Sequence, residues 1–502
     1  MTMKISDLKN IYSKDAVVKL LLEAAADEGG QKYRLKSAVG SQLSLLLSSF
    51  SGKNPSLQVI LVSERESAAY LYNDLLSLNP EENVVFLPSS YRRSFNLDEK
   101  DPDAVLVRTE VLDQLRKGSV RILVSYPEAF MESVVQREDM DMKSKTLAKG
   151  DRVKMSEIEN FLYISGFERS DFVYEPGQFS VRGGILDVFS YSEEEPLRVD
   201  FFGDEIESIK YFNVETQLST ETVDSFSIVP DIAGLTPVSS TSDMCSWLPD
   251  KVCWWVEDAQ YLYNKTLSLR KDDPDGIFAD AEPLFNLLNK SFLVEWGQDI
   301  YFSGTEINMS GELQPSVNKN FELLADSLNI RIENGYRIFI CSTNDKQISR
   351  IRDIFKDFGY EIPFESVEGT IHTGFSDIKN RLCIYTDHQI FDRYHKYRLK
   401  TTRLRQDRES ISMNDLLELH PGDYVVHIDY GIGRFAGLTT VDVGGQKREA
   451  IRLVYKNNAE LYVSLHALHK ISKYKGKDGE EPTLHRLGGE AWNNLKYSYG
   501  DH

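Results

Sequence analysis

Short apolar runs separated by amphipathic segments dominate the first part of the chain. The runs typical of buried strands lie at residues 59–63, 84–87 and 122–125. Polar-faced segments near 64–78 and 104–117 predict helices between them, and Pro127 is typical of the first turn of a further helix. Alternating strands and helices indicate a parallel sheet with helices on both faces, so this region is predicted to be α/β.

From Phe161 the rhythm changes to short β segments with a period of two. In the segment LRVDFF, this period places Leu197, Val199 and Phe201 on one face of a strand and the intervening residues on the other. The GDE that follows supplies a tight turn. The pattern predicts a small antiparallel module inserted into the α/β region.

Two further regions follow the inserted module. The apolar run at 252–258 again predicts a buried strand, and a helix at 345–358 between apolar runs predicts a small α/β unit. Short segments joined by Gly and Asn turns from residue 420 onward predict a small β-barrel at the end of the chain.

Length and composition restrict the class of protein. A chain of 502 residues is long enough for about three to five domains. No stretch of 18 apolar residues occurs, the first residues lack the apolar segment of an export signal, and the four cysteines have no CxxC spacing. These features predict a cytoplasmic protein with no membrane partner and no metal site.

The charge is unevenly distributed. A formal net charge of −20 makes general binding to a phosphate backbone unfavourable. Residues 392–408, however, carry seven Lys or Arg against two Asp. Two interpretations of this segment remain open: a solvated helical linker, or a contact with nucleic acid or an acidic partner.

A degenerate phosphate-binding motif precedes the first clear helix. The motif GxxxxGK[ST] needs glycines for close approach of the backbone to phosphate, a lysine as counter-charge and a hydroxyl for Mg²⁺. Here Ser37 and Gln42 stand at the glycine positions and Leu43 at the lysine position, and only Ser44 fits. Without the lysine we expect no ATP hydrolysis, no catalytic residue and no cofactor in this chain.

Other candidate chemistry is weak. Glu257 and Asp258 resemble a worn acidic Mg²⁺ motif, but without a partner lysine they are interpreted as carboxylates at a strand end. His466 and His469 lie in a polar segment and are expected at the surface rather than on a metal. The sequence contains no GxSxG nucleophile elbow.

Two stretches look like binding surfaces. Arg169 and Arg182 lie in the inserted module, and Arg182 precedes two glycines that permit close backbone approach. Exposed arginines are frequent interface anchors, although on a sheet face they can equally be solvated residues.

The second stretch is a strand of the last β module. Ile451 and Leu453 lie on one face of it and Arg452 on the other. If this strand is an edge, it can add a strand of a partner by main-chain hydrogen bonding. Otherwise these residues fill the core of the barrel.

The same stretches carry a resemblance to known families. Residues 172–219, with SVRGGILDVF and LRVDFFGDEIESI, closely resemble the second domain shared by the transcription-repair coupling factors (Mfd) and the repair helicase UvrB. HPGDYVVHIDYGIGRFAGL and LVYKNNAELYVSLHALHKISKY resemble the RNA-polymerase-interacting domain of Mfd, which is related to CarD regulators. TDHQIFDRYHK, at 386–396, is similar to the segment before the family's linker.

The resemblance implies functions and site residues. In relatives the UvrB-like module binds the ATPase UvrA, and the arginines of two UvrB motifs match Arg169 and Arg182, while Ser180 stands where UvrB has another arginine. The CarD-like module of relatives binds the β subunit of RNA polymerase by strand addition, which by similarity nominates Ile451, Arg452 and Leu453.

Two departures from UvrB are informative. The phosphate loop of UvrB is intact, and UvrB has a long Tyr-rich hairpin that has no counterpart between Ser89 and Asp103. The chain is therefore not expected to recognise lesions. In the family a translocating ATPase motor follows the polymerase-binding domain, and no such motifs occur before His502, so ATP, Mg²⁺ and double-stranded DNA are expected only for that motor.

Together, pattern and resemblance predict a multidomain α/β and β protein, expected to be monomeric, with a degenerate RecA-like and UvrB-like domain. The predicted divisions are a degenerate α/β domain (1–150, returning at 237–320), a UvrA-binding module (151–236), a small α/β domain (321–396), a basic helical linker (397–415) and an RNA-polymerase-interacting, CarD/Tudor-like barrel (416–490).

Three functions remain open. The first is a non-catalytic adaptor of transcription-coupled repair, whose full-length form displaces stalled RNA polymerase. The second is a UvrB-type ATP-hydrolysing helicase, which measurable ATP turnover would reveal. The third is a stand-alone CarD-like regulator, which would bind polymerase without binding UvrA.

Overall fold

A computed structural model of the chain describes residues 3–27, 30–93, 96–214, 216–231, 241–271, 273, 276–317, 320–393, 397, 399, 419–427, 430–443, 446–464 and 471–473. The chain divides into two compact units, Met1–Leu399 and Lys400–His502. The predicted basic linker lies outside the described residues apart from 397 and 399, and so do His466 and His469.

The α-helices described fall in the first unit. They are α1 (Leu8–Tyr12), α2 (Ala16–Ala26), α3 (Gln42–Ser51), α4 (Arg65–Leu78), α5 (Pro102–Arg116), α6 (Pro127–Met131), α7 (Arg137–Lys143), α8 (Met155–Ile164), α9 (Ala259–Lys271), α10 (Ala281–Lys290), α11 (Phe321–Glu333), α12 (Asp345–Asp357) and α13 (Asp387–Ile390).

Strands occur in both units. Those before the inserted module are β1 (Met3–Lys4), β2 (Lys32–Lys36), β3 (Leu57–Leu61), β4 (Val84–Phe86), β5 (Tyr91–Arg93), β6 (Asn96–Lys100), β7 (Ile122–Ser125) and β8 (Val134–Val135). The inserted module contributes β9 (Lys145–Ala148), β10 (Glu168–Arg169), β11 (Gln178–Arg182), β12 (Ile185–Val188), β13 (Leu197–Phe202), β14 (Glu205–Phe212), β15 (Ser219–Val223) and β16 (Ser225–Ile228). The rest of the first unit contributes β17 (Thr241–Ser242), β18 (Val252–Glu257), β19 (Leu293–Trp296), β20 (Thr305–Asn308), β21 (Gly311–Leu313), β22 (Arg337–Ser342), β23 (Glu365–Glu368), β24 (Phe375–Asp377) and β25 (Leu382–Thr386). The second unit contains β26 (Tyr424–His427), β27 (Gly431–Val443), β28 (Gln446–Val454), β29 (Glu460–Ser464) and β30 (Ile471–Lys473).

The first sheet is a seven-stranded parallel sheet in the order β20-β2-β19-β18-β3-β7-β4. Every residue of β3 and of β7 is buried, as expected for strands covered on both faces. Phe50 of α3 stacks on Phe292 and meets Trp255 of β18 edge to face, so aromatic rings fill the layer between helix and sheet. The predicted mixed α/β organisation is confirmed.

The inserted module is a six-stranded sheet in the order β10-β11-β12-β13-β14-β15. Its apolar face, which includes Phe179, Val199 and Ile209, packs with Ile158 and Leu162 of α8. The sequence predicted β structure from Phe161, but α8 continues to Ile164, because its apolar face at helical spacing covers the sheet. Two chain segments connect this module to the first sheet. They pair with each other as the antiparallel strand pairs β8–β17 and β9–β16.

A third sheet has the order β1-β23-β22-β25-β24-β21. It includes Met3–Lys4 and Gly311–Leu313, which lie outside the 321–396 range predicted for the small domain. A short hairpin, β5–β6, lies between Ser89 and Asp103. Among the described residues, no helix is long and apolar enough to cross a membrane.

The second unit contains a five-stranded antiparallel sheet in the order β29-β28-β27-β26-β30. Its core includes Val425, Phe435, Ile451 and Leu453. Tyr455 is also buried and packs against Gly433, where a Cβ atom would lie 3.0 Å from the tyrosine ring. In the part of the chain that the structure describes, no pairing joins β29 to β30.

Candidate functional sites

The segment predicted to be a degenerate phosphate loop, residues 37–44, joins β2 to α3 and forms the first turn of that helix. Ser37 and Gly40 have positive φ angles, 55° and 53°, so the loop turns sharply at two points. Strand, loop and helix follow one another as in a phosphate-binding loop. The local backbone order inferred from the sequence is therefore present, and the function of the loop depends on what its polar groups contact.

Gln42 begins α3 and is fully buried. Its side-chain amide donates hydrogen bonds to the hydroxyl of Tyr12 (3.3 Å), the carbonyl of Met309 (3.1 Å) and the carboxylate of Asp377 (3.2 Å). Tyr12 also donates to that carboxylate, at 2.5 Å. Where a phosphate loop has a glycine, this chain has a side chain that ties α3 to α1 and to the third sheet.

The segment 371–374, before β24, lies directly against the loop. The backbone N–H of Ser41 donates to the carbonyl of Thr373 (2.9 Å), and the N–H of Thr373 donates to the hydroxyl of Ser41 (3.0 Å). A Cβ atom on Gly40 would lie 2.9 Å from the same Thr373 carbonyl. A loop N–H of the kind that would face a phosphate is thus bonded to the protein's own backbone.

Leu43 and Ser44 point into the protein. Leu43 belongs to the main hydrophobic core, and the Ser44 hydroxyl donates to the carboxylate of Asp74 on α4 (2.9 Å). Asp74 also accepts a hydrogen bond from the N–H of His372 (2.6 Å). Burial raises the pKa of the Asp74 carboxyl to about 6, although hydrogen bonds from Ser41, His372 and Ser44 act in the opposite direction. The hydroxyl that matched the motif is therefore engaged by an aspartate.

The carboxylates at the end of β18 also have internal partners. Glu257 accepts hydrogen bonds from the N–H and hydroxyl of Ser63 (3.0 and 2.6 Å) and from the indole of Trp296 (3.2 Å). Asp258 accepts from the backbone N–H groups of Gln298 and Asp299. Within the described residues, no group of three or more His, Cys, Asp or Glu is arranged to hold a metal ion.

Arg182 lies on the outer face of the inserted sheet, opposite α8. Its guanidinium forms a close ion pair with Asp187 and lies over the ring of Phe172, 5.1 Å from the centroid. Arg198 binds the same carboxylate through two nitrogens, at 2.7 and 2.9 Å. The Asp187 side chain is fully buried, whereas that of Arg182 is 40% exposed and that of Arg198 17%. Asp187 thus holds Arg182 in place while its guanidinium remains accessible.

Arg169 lies on the other face. It pairs in register with Phe179, whose ring packs on the side of α8. Its guanidinium lies 3.4 Å from Glu159 of α8, and a hydrogen bond with Tyr163 raises the pKa of Arg169. The two arginines predicted from the resemblance are exposed, but the sheet separates them. Ser180, on the face of Arg182, is buried and donates to the carbonyl of Asp171 (3.1 Å).

Strand β28 is not an edge strand. It pairs with β27 on one side and with β29 on the other, and the second pairing includes Ile451, Arg452 and Leu453. Ile451 and Leu453 are fully buried in the core of this sheet. Arg452 is 43% exposed and lies 3.7 Å from Glu460. Among the described strands of this sheet, β29 presents an edge without a partner strand.

Several important residues had no clear signal in the amino-acid sequence. Tyr12, Asp74 and Asp377 lie in unrelated segments, and only the fold brings them beside the loop. Asp187 did carry a signal, because a single acid within the apolar run GILDVF requires a buried partner.

Two family models match the chain. The UvrB interaction domain matches residues 146–232, which include the inserted module with Arg169 and Arg182. The CarD-like/TRCF RID domain matches residues 419–475, the part that contains β26 to β30.

Curated relatives extend the similarity over most of the chain. The transcription-repair-coupling factors of Bacillus subtilis and Escherichia coli are each 22% identical to it, over 93% of this chain and 47% of their own length. That of Haemophilus influenzae is 23% identical over 89% of this chain and 46% of its own. The chain thus spans about half the length of the curated relatives it matches. It is similar to the N-terminal part of the transcription-repair-coupling factors, and it contains a UvrB interaction domain followed by a CarD-like/TRCF RID domain.

Proposed function

We propose that this chain is a non-catalytic adaptor that docks on the β subunit of RNA polymerase and on UvrA in transcription-coupled excision repair. The observation that carries the non-catalytic part is the state of the former phosphate loop. Gln42, Ser41 and Ser44 all bond to other parts of the same chain, and Leu43 replaces the lysine that would neutralise phosphate.

In this proposal the first sheet is the remnant of a RecA-like, UvrB-like nucleotide-binding domain, and the last sheet is a small CarD-like barrel. The chain uses no cofactor and acts as a monomer. ATP, Mg²⁺ and double-stranded DNA belong to the motor of the full-length relatives, which translocates on DNA and displaces stalled polymerase. The family models and relatives support the proposal through the two domains that they match.

The UvrA-binding surface is proposed to include Arg182. Its side chain is exposed, and its contacts with Asp187 and Phe172 hold it in one orientation, so binding costs little side-chain entropy. Because Arg169 lies on the opposite face, a partner that contacts both must reach around the β10 edge of the sheet.

Single substitutions test this surface. Arg182→Ala should weaken UvrA binding about tenfold, which corresponds to the ~1–2 kcal/mol typical of an interface arginine. Arg152→Ala, which removes an arginine 82% exposed on the same module, serves as the matched control and should leave UvrA affinity unchanged. Equal affinity of the wild type and Arg182→Ala would exclude this surface.

The polymerase-binding edge is proposed to be β29 instead of β28. The N–H of Tyr455 donates to the carbonyl of Ala459 (2.8 Å) where β28 turns toward β29. In this antiparallel register Leu453 and Leu461 exchange backbone hydrogen bonds, whereas the N–H and C=O of Tyr462 point away from β28. A strand of the polymerase β subunit can bond to these outward groups.

Two variants at position 462 distinguish the contribution of the backbone to polymerase binding from that of the side chain. Tyr462→Pro removes the outward N–H and should weaken polymerase binding at least about tenfold, whereas Tyr462→Ala keeps it and should have a smaller effect. Thermal melts establish that both variants fold, and UvrA binding should be unchanged in both. Similar loss in the two variants would refute strand addition at β29. Polymerase binding by a wild-type chain that fails to bind UvrA would favour the stand-alone regulator, and ATP turnover would favour the helicase.

A further inference from the structure

Helix α11 has two apolar stripes, and only one of them is covered. Leu324, Ala325 and Leu328 are buried in the core of the third sheet. Leu323 and Ile330 lie on a different stripe, at a spacing of seven residues, and are 62% and 59% exposed. At ~1.5 Å per residue these two side chains are about 10 Å apart along the helix, the length of two helical turns.

This second stripe forms one wall of a groove of about 660 Å³. The opposite wall is the connection from β24 to β25, with Ile378, 46% exposed, and Arg381. The wall is held in place by backbone bonds, since the carbonyl of Arg381 accepts from the N–H of Arg337 (2.9 Å) and Asp377 accepts from the N–H of Asn380 (2.9 Å). The groove is therefore preformed.

Two arginines lie at one end of the groove. Near the C-terminal end of α11, Arg381 lies against Gly335, where a Cβ atom would be 3.1 Å from Nη1. Arg331 lines the same end, lies over the ring of Tyr336 and is 3.6 Å from Glu312. Among the described residues no acidic side chain forms an ion pair with Arg381.

The other end of the groove has the opposite charge. Asp326, one turn after Leu323, accepts a hydrogen bond from the hydroxyl of Tyr360 (2.8 Å). In a chain of net charge −20, an exposed arginine at one end of an apolar groove and a carboxylate at the other would set the orientation of a bound helix. Asp326 and the aliphatic walls make a phosphate-rich ligand a poor fit.

We propose that this groove, formed by Leu323, Ile330, Ile378 and Arg381, binds a short amphipathic helix of a partner protein. The helix presents aliphatic side chains two turns apart to the apolar wall and a carboxylate to Arg381, where a planar guanidinium can accept it with two hydrogen bonds. The site shares no residue with the proposed UvrA and polymerase surfaces, and the proposal does not rest on them.

A designed peptide tests whether Arg381 binds a carboxylate and so orients the helix in the groove. The probe is a fluorescein-labelled 14-residue amphipathic helix with leucines at positions i, i+3 and i+7 and a glutamate placed to meet Arg381, and its control carries glutamine instead. The full chain should bind the glutamate peptide with at least fivefold higher affinity than the glutamine peptide in fluorescence anisotropy. Arg381→Ala should remove that difference, and Leu323→Asp should remove binding of both.

A matched control variant shows whether the loss of peptide binding is specific to the groove. Phe358→Asp changes another exposed apolar residue of the same domain, 53% exposed and outside the groove, and should leave peptide binding unchanged. Failure of the wild-type chain to bind either peptide, or equal binding of both, overturns the proposal. Dimers in analytical ultracentrifugation that Leu323→Asp converts to monomers would assign the groove to a second copy of this chain, and would also overturn it.

Discussion

Replacing Asp74 by asparagine should remove a stability penalty that grows with pH. The Asp74 carboxyl is buried between α4, the former phosphate loop and the segment before β24. Burial raises its pKa from an ordinary 3.8 to about 6, so the folded state retains a proton that the unfolded state has lost. The protonated carboxyl therefore makes its full contribution to the free energy of unfolding below about pH 4. That contribution is lost as the pH rises through 6.

The magnitude follows from the two pKa values. Their difference, at about 1.4 kcal/mol for each pH unit, corresponds to about 3 kcal/mol at neutral pH. About 1 kcal/mol of this penalty is already present at pH 4.5, so about 2 kcal/mol should develop between pH 4.5 and 7.5. Asp74→Asn keeps an oxygen for the His372 N–H, and its amide can donate to the hydroxyl of Ser44, which can rotate to accept.

Urea unfolding followed by tryptophan fluorescence measures this effect, because Trp254 and Trp255 are buried in the first sheet. The free energy of unfolding of Asp74→Asn minus that of the wild type should increase by about 2 kcal/mol from pH 4.5 to 7.5. His388, whose pKa burial lowers, contributes in the opposite direction to both proteins and cancels in the difference. Ser44→Ala keeps the carboxylate but removes a hydrogen bond that lowers its pKa, so its pH dependence should be at least as steep as that of the wild type. Parallel profiles for the wild type and Asp74→Asn would refute the argument.

Two further predictions concern the former loop and the inserted module. The motif can be restored with Ser37→Gly, Gln42→Gly and Leu43→Lys together. This variant should show no detectable binding of a fluorescent ATP analogue, since the segment 371–374 still contacts the loop. Micromolar binding would show that these three residues alone prevent nucleotide binding in the wild type. Asp187→Ala should destabilise the module by about 3 kcal/mol, because it leaves Arg182 and a second arginine without their buried carboxylate. Calorimetry measures that loss, and an unchanged melting temperature would contradict it.

Periodic patterns predicted the elements of the fold well. The alternation in LRVDFF was confirmed, with Leu197 and Val199 buried in the sheet core, and the apolar run at 252–258 forms the buried strand β18. These predictions succeed because burial on one or both faces constrains every residue of a strand. The helix at 345–358 was also confirmed, with α12 ending one residue earlier.

Long-range pairings could not be predicted in this way. Strand β1 has two residues, too few for any period, and its place in the third sheet depends on Val367 and Glu368, far along the chain. Whether β28 is an edge strand was left open for a related reason, since the alternation of Ile451 and Leu453 is the same in an internal strand and in an edge strand. Only the neighbours of a strand determine whether its hydrogen-bonding groups are free.

The antiparallel pair β9–β16 brings the first and last parts of the inserted module side by side, with Lys145 opposite Ile228 and Ala148 opposite Ser225. The chain therefore enters and leaves the module at adjacent positions. Sequence change within such a module can therefore alter its outer surface while the strands of the parent sheet keep their register.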